Sequence, residues 1–342
     1  MKATTIAVDV ASTSLEIAIS TRPGRVTERR RLTRRRVLPF FRKQSNSTVL
    51  LEACGSAHYW ARELQALGHE VQLLPPHAVR PYVSRNKTDK TDAKALLEAY
   101  RNEDIHPVPV KSPDQHALAA IHRLRSSWMA TRTARLNALR GFARELGIQI
   151  PTGARHVFPN LHEALEDAES VVPDILRPHL AKALEEIQRL EERICLAEKS
   201  LESLAENLPT VARLQSIPGV GPLTSTALVA FVGDVRRFPS GRHFASYLGL
   251  TPRERSSGKT RHLGAISKRG DRYLRMLLIH GARAVLWRAR SRKCPGRLRA
   301  WALTLEQTRG HNKATVALAN KLARIIWAVW RNDAPFQEVA IA

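Results

Sequence analysis

Residues 4–74 pass repeatedly between strand-like and helix-like apolar periods, and few folds accept that order. Residues 4–10 read as a buried strand ending near Asp9. Residues 14–20 alternate Leu15, Ile17 and Ile19, the period of a strand with one buried face. Residues 26–32 predict a third strand, more exposed because it is rich in Arg, and residues 37–43 a short helix. Residues 48–54 form a fourth strand with Glu52 near its end. Residues 57–67 form a helix closed by Gly68, and residues 70–74 a fifth strand stopped by Pro75 and Pro76. A helix anchored by Ala93, Leu96, Leu97 and Tyr100 comes next. The order β-β-β-α-β-α-β-α predicts an α/β domain, a mixed sheet with helices packed on it. In such sheets ligands gather at strand ends.

Acids stand at those ends. Asp9 and Glu52 interrupt apolar strands, where a lone buried carboxylate is costly unless it is paired or metal-bound. Asp89 and Asp92 lie three residues apart at the start of a helix and share a face. Each of that pair also fits an ordinary role at a helix N-terminus. Taken together, Asp9, Glu52, Asp89 and Asp92 suit Mg²⁺ or Mn²⁺ and a two-metal phosphoryl-transfer site.

The chain of 342 residues carries a net charge of +24, which points to a polyanion, nucleic acid before an anionic membrane surface. It has no run of apolar residues long enough to span a bilayer, and the first residues enter a strand pattern rather than a signal peptide. Cys54, Cys195 and Cys294 are far apart and odd in number, as expected in a reducing, cytoplasmic setting.

After residue 111 the chain becomes helical. Residues 114–147 repeat apolar positions at helical spacing, and their other faces carry His122, Arg123, Arg125, Arg132, Arg135, Arg140 and Arg144. That face is either solvated or a phosphate-backbone contact, with Arg123 and Arg132 as candidates. From Leu180 to Leu208 apolar residues recur in steps of three and four, close to a heptad seam with Leu204 in it. The seam fits a coiled-coil dimer or an internal hairpin equally well. Residues 217–222, Ile-Pro-Gly-Val-Gly-Pro, resemble the turn of a helix-hairpin-helix, where Gly219 and Gly221 would turn backbone N–H groups toward a phosphate. Residues 251–275 read as a basic loop hinged by glycines, with Arg253, Lys259, Arg261, Lys268, Arg269 and Arg272 as candidate nucleic-acid contacts. Ser256 and Ser257 sit in it side by side. Helices are predicted at residues 274–288 and 313–330, with a basic loop at 290–299 between them.

Three acidic segments carry a resemblance: Val8-Asp9-Val10, the run Glu52-Ala-Cys-Gly-Ser-Ala-His58, and Asn86-Lys-Thr-Asp89-Lys-Thr-Asp92. They look like the motifs of the DEDD insertion-sequence transposases. Leu250-Thr-Pro-Arg253, Ser256-Ser-Gly-Lys259 and Ile266-Ser-Lys-Arg-Gly270 look like the second half of the same family. The resemblance implies an RNase H-like, RuvC-like domain over residues 1–110, a helical or coiled-coil linker over 111–210, and a mostly helical domain with a helix-hairpin-helix over 211–335. It implies that Asp9, Glu52, Asp89 and Asp92 bind the metal and that Ser257, or the adjacent Ser256, forms a covalent serine–DNA link. It further implies donor and target DNA, a structured guide RNA of the bridge type, and a dimer or tetramer. Two other readings use the same residues: a junction resolvase that hydrolyses with water, and a nucleic-acid scaffold with no chemistry.

Overall fold

Two apolar layers sandwich the sheet at the front of the chain. A computed structural model describes residues 4–22, 25–83, 89–258, 260–291 and 296–337, with only the backbone of Asp89 and Lys90. Strands β1 (Thr5–Val10), β2 (Ser14–Ser20) and β3 (Glu28–Thr33) form an antiparallel meander. After α1 (Arg34–Phe41), β4 (Thr48–Glu52) adds parallel to β1. After α2 (Ala57–Ala66), β5 (Glu70–Leu74) adds parallel to β4, giving the order β3-β2-β1-β4-β5. The short α3 (Pro76–Val79) and the longer α4 (Asp89–Tyr100) close the unit. Pro75 and Pro76 thus stop the strand as expected but also start a helix, since proline suits the first helical turn. This mixed sheet with flanking helices is consistent with an RNase H-like DEDD fold.

One face of the sheet packs Ile6, Val8, Ile17 and Val49 against Phe41 of α1 and Trp60 and Leu64 of α2. The other packs Ala7, Ala18, Leu50 and Leu74 against Ala93, Leu96 and Leu97 of α4. The alternation in residues 14–20 predicts one wet face, but every residue of β2 is buried. Small Ala7 and Ala18 let α4 lie close on the face expected to be solvated. Helix α1 starts at Arg34, ahead of the expected residue 37, and β3 runs two residues later than its Val26 start.

The chain divides into two units, residues 1–114 and 115–342. In the second, α5 (Pro113–Glu145) and α7 (Arg177–Glu206) form an antiparallel hairpin, with α6 (Val157–Glu166) between them in sequence. Ion pairs Arg125–Glu198, Arg132–Glu191 and Arg135–Glu186 run in opposite directions along the two helices. The seam is therefore satisfied inside the chain, which decides between the two arrangements the sequence allowed. It also drifts by one residue: Leu201 and Ala205 are buried, whereas Leu204 is 39% exposed. The remainder is a helical cluster: α8 (Pro209–Gln215), α9 (Pro222–Val232), α10 (Gly241–Tyr247), α11 (Arg272–Arg290), α12 (Arg297–Arg309) and α13 (His311–Asn332). Residues 290–299 are thus not wholly loop; α12 begins within them, with Gly296 as its N-cap. Of the face that the sequence predicts for α13, Val316, Ala319, Leu322, Ala323, Ile326 and Trp330, the helix buries Ala319, Leu322, Ala323 and Ile326, leaves Val316 and Trp330 half-buried, and buries Leu318 beside them.

Candidate active site

In the first unit, the sheet register aligns the acids. Asp9 pairs across to Glu16 of β2, and Glu16 to Arg31 of β3. On the other side, Asp9 and Glu52 each stand one residue beyond the parallel pair Val8 and Leu51. Side chains two apart on a strand share a face. Ala7 and Leu50 face α4, so Asp9 and Glu52 point to the same side, at adjacent strand ends ~4.8 Å apart. Asp92 comes from the first turn of α4, the helix that covers this face. Its Oδ1 is buried without a hydrogen-bond partner, an orphaned acceptor in a carboxylate that metal coordination would satisfy. The thiol of Cys54 registers the local charge. Partial desolvation pushes its pKa up, and the negative charges of Glu52 and Asp9 push it further.

These donors fit a hard cation in chemistry: half-buried carboxylates directed to one face, one with an unmatched oxygen. Among the described residues no three His, Cys, Asp or Glu side chains cluster tightly enough to hold a metal by themselves. The side chain of Asp89, the fourth expected acid, lies outside the described residues.

Glu16 is the acid that sequence reasoning missed. Leu15, Ile17 and Ile19 placed it on a face expected to be wet, yet it is only 9% exposed, beside Asp9, with Arg31 3.4 Å away. The turn after β1 is held from α1: Arg34 donates to the carbonyls of Ala11 and Ser12 and stacks on Trp60. His58 Nδ1 accepts from the Lys111 backbone N–H, fixing the start of α2.

In the second unit, residues 251–275 are not an open loop. Strands β6 (Pro252–Glu254) and β7 (Leu263–Ile266) form a hairpin. At its tip Ser257 and Thr260 exchange backbone hydrogen bonds of 3.2 and 3.1 Å around Gly258, which has φ +55°. The two serines differ. The Ser256 hydroxyl donates to Glu254 at 2.8 Å, and Arg261 donates to the same oxygen at 3.1 Å. These two groups hold the Glu254 carboxyl below its ordinary pKa, Ser256 foremost. Ser257 is exposed at the tip, and its hydroxyl has no hydrogen-bond partner among the described residues.

The roots of the hairpin are clamped. Ser267 and Lys268 donate from their backbones to Thr251 and Gly249, and buried Arg275 donates to the carbonyls of Leu248 and Arg269. Arg275 is thereby a structural cation, unlike exposed Arg253, Lys268, Arg269 and Arg272. Lys259 lies outside the described residues. A Cβ on Gly219 would stand 2.7 Å from the carbonyl oxygen of Gly281 in α11, so close packing explains that glycine. Gly221 has open space around it. On α5, Arg132 is committed to Glu191, while Arg123 remains exposed with its guanidinium over Phe231. His122 leaves the basic face altogether: it is fully buried and held near pKa 4 by desolvation and then by the Arg125 charge.

A mixed sheet with acids at adjacent strand ends is consistent with the DEDD class of nucleic-acid enzymes, and comparison with known proteins agrees. A transposase family model, of the DEDD type found in IS110, matches residues 6–147. A second, described as the transposase IS116/IS110/IS902 family, matches residues 211–294. A probable family 20 transposase of Pseudomonas aeruginosa is 42% identical over 330 residues, covering 96% of this chain and 97% of its own. The transposase for insertion sequence element IS1111A of Coxiella burnetii is 36% identical, covering 95% of this chain and 88% of its own. That for IS1328 of Yersinia enterocolitica is 35% identical, covering 98% and 99%. The chain belongs to this family of insertion-sequence transposases. Among the described residues, no helix is long and apolar enough to cross a membrane.

Proposed function

We propose that the chain cuts and rejoins DNA through one composite site, with Asp9, Glu52, Asp89 and Asp92 as metal-binding acids and Ser257 as nucleophile. The observation that carries the serine half is the contrast at the hairpin tip. Ser256 donates its hydrogen to Glu254, whereas Ser257 is exposed and its hydroxyl has no partner among the described residues. In the attack, Ser257 Oγ loses its proton to a base and bonds to phosphorus. The strand's P–O bond breaks, and the departing oxygen takes up a proton. A DNA hydroxyl reverses the sequence on the second strand and frees the serine. Bound Mg²⁺ or Mn²⁺ would neutralise charge on the phosphorane oxygens. The cationic hairpin, Arg253, Lys268, Arg269 and Arg272 among others, would add to that. Arg123, Gly219, Gly221, Arg261 and Lys259 remain candidate backbone contacts.

The resemblance further supports an element-encoded guide RNA that selects donor and target by base pairing, and at least a dimer to hold both. Because the α7 seam is filled by α5 of the same chain, that assembly needs another surface.

The test uses a DNA substrate nicked to trap the intermediate. The native protein and Ser256→Ala should give a protein–DNA adduct that survives denaturation, and Ser257→Ala should give none. Asp92→Ala should cut nothing and, by calorimetry, bind Mn²⁺ more weakly. Cleavage at near the native rate by Ser257→Ala, still abolished by Asp92→Ala, would establish attack by water instead. Sequencing the RNA that copurifies tests the guide: random cellular RNA counts against it.

A further inference from the structure

A groove runs between the serine hairpin and the outer face of α13. On that helix Lys313, Ala317, Asn320, Arg324 and Ala328 follow steps of three and four, so they share one face. The opposite face, with Leu318, Leu322 and Ile326, is core. Ala317 and Ala328 are short, and the hairpin supplies Gly264 and Ala265. Small residues on both walls leave a space of about 1220 Å³, to which Leu250, Val316 and Ile325 add apolar surface. Sites for small molecules hold about 300–1,000 Å³, so this one has room for part of a polymer.

The lining is also cationic. Lys313, Lys321 and Arg324 belong to it, and among the described residues that line it none is acidic. Lys321 is held over the ring of Trp301, its Nζ 4.3 Å from the centroid, a contact that orders the side chain and leaves its charge in place. Asn320 donates from Nδ2 to the Leu250 carbonyl at 3.1 Å. That bond ties α13 to the root of the hairpin, and the amide oxygen of Asn320 stays able to accept from a base amino group. Apolar walls, three cations and an amide suit a nucleobase with its flanking phosphates. An apolar segment of another protein would bury those cations unpaired. A second copy of this chain would bring its own net charge of +24 to them.

We propose that this groove takes an unstacked base of the DNA strand attacked by the hairpin serine, with Lys313, Lys321 and Arg324 on its phosphates. This rests on the reading of Ser257 as nucleophile. From Pro252, in the groove wall, to Ser257, at the tip, the strand spans at most ~17 Å. A DNA strand held at the tip therefore passes the groove within a few nucleotides. A base drawn out of the duplex there fixes which phosphate meets the serine. The occupant is DNA because the wall of the groove is the element that carries the nucleophile.

The test uses the full-length protein as it purifies and the nicked DNA substrate, with 2-aminopurine at single positions on either side of the cut. A base that leaves the stack brightens this probe, so one or two positions should brighten on binding. Ala317→Phe fills the groove. It should remove the brightening and weaken binding about tenfold, as expected for one lost base contact. Arg324→Gln, at an exposed position, should lower the salt slope of binding by about 1. Both variants should melt as the native protein does. No brightening at any position, the same brightening in Ala317→Phe, or an unchanged salt slope in Arg324→Gln overturns the proposal. So does a smaller assembly of Ala317→Phe by light scattering with DNA binding intact, which would make the groove an interface between copies. Ser257→Ala separates the two readings: if it still cuts, the serine site is wrong, while the brightening continues to judge the groove.

Discussion

Substituting His122 tests the joint that ties the long hairpin to the helices carrying the serine. Thr226 Oγ1 donates to the Pro222 carbonyl at 2.6 Å, so it accepts from His122 Nε2–H at 3.1 Å. That leaves Nδ1 to accept from the Tyr273 hydroxyl at 3.0 Å. One neutral imidazole therefore joins α5, α9 and the first turn of α11, directly after the serine hairpin. His122→Leu keeps the volume near constant and leaves a buried hydroxyl without its acceptor. Such an orphan costs about 1–3 kcal/mol, and the idle acceptor on Thr226 adds less, so the expected loss is about 2–3 kcal/mol at pH 7.

The pH dependence is a sharper measurement. The folded pKa of about 4 lies below the ordinary 6.5. Between those values the unfolded chain binds the proton and the folded chain does not. Stability from the neutral ring is therefore full above pH 6.5 and drains as pH falls toward 4. Linkage gives a loss of about 2 kcal/mol between pH 7 and pH 5. Urea unfolding followed by circular dichroism should show that loss in the native protein, and His122→Leu should lack that share of it. Pairing His122→Leu with Tyr273→Phe should recover about 1 kcal/mol, because the orphaned hydroxyl donor is removed. Equal acid sensitivity in both proteins, together with strict additivity of the two substitutions, would refute the network.

The helix seam and the glycine contact give two further tests. Leu201 is fully buried, so Leu201→Ala should cost about 2–5 kcal/mol, while Leu204→Ala, three residues on, should cost under about 0.5 kcal/mol by the same urea assay. Equal costs would restore the regular seam. A Cβ on Gly281 would meet the Gly219 carbonyl oxygen at 2.1 Å, a backbone atom that has little room to yield. Gly281→Ala should therefore lower the melting temperature markedly, whereas Gly221→Ala should not. A native-like melting temperature for Gly281→Ala would show that the loop and α11 do not touch.

What the sequence disclosed, and what it hid, follows from how local each signal is. Strand β2 was legible to the residue because its period is a property of neighbours along the chain. That its second face is buried was not, because α4, more than sixty residues later, covers it; this concealed Glu16. The acids Asp9, Glu52 and Asp92 drew notice because acids are conspicuous in apolar strands and at helix starts. Which of two adjacent serines is uncommitted depended on Glu254 and Arg261, brought together only when residues 252–266 fold back on themselves. That hairpin lacks an alternating apolar face, its strands being exposed except at Ile266, so hydrophobic period gave no sign of it. His122 looked like one more cation on a basic helix, and its partner Tyr273 is 151 residues away.

The same contrast explains the charge. Much of the basic face of α5 is answered inside the chain by glutamates of α7, as the Arg125–Glu198 and Arg132–Glu191 pairs show. Arginines of β3 are answered in the same way, Arg30 by Glu28 and Arg31 by Glu16. A net charge of +24 is thus a poor guide to where a polyanion lies until internal pairs are subtracted.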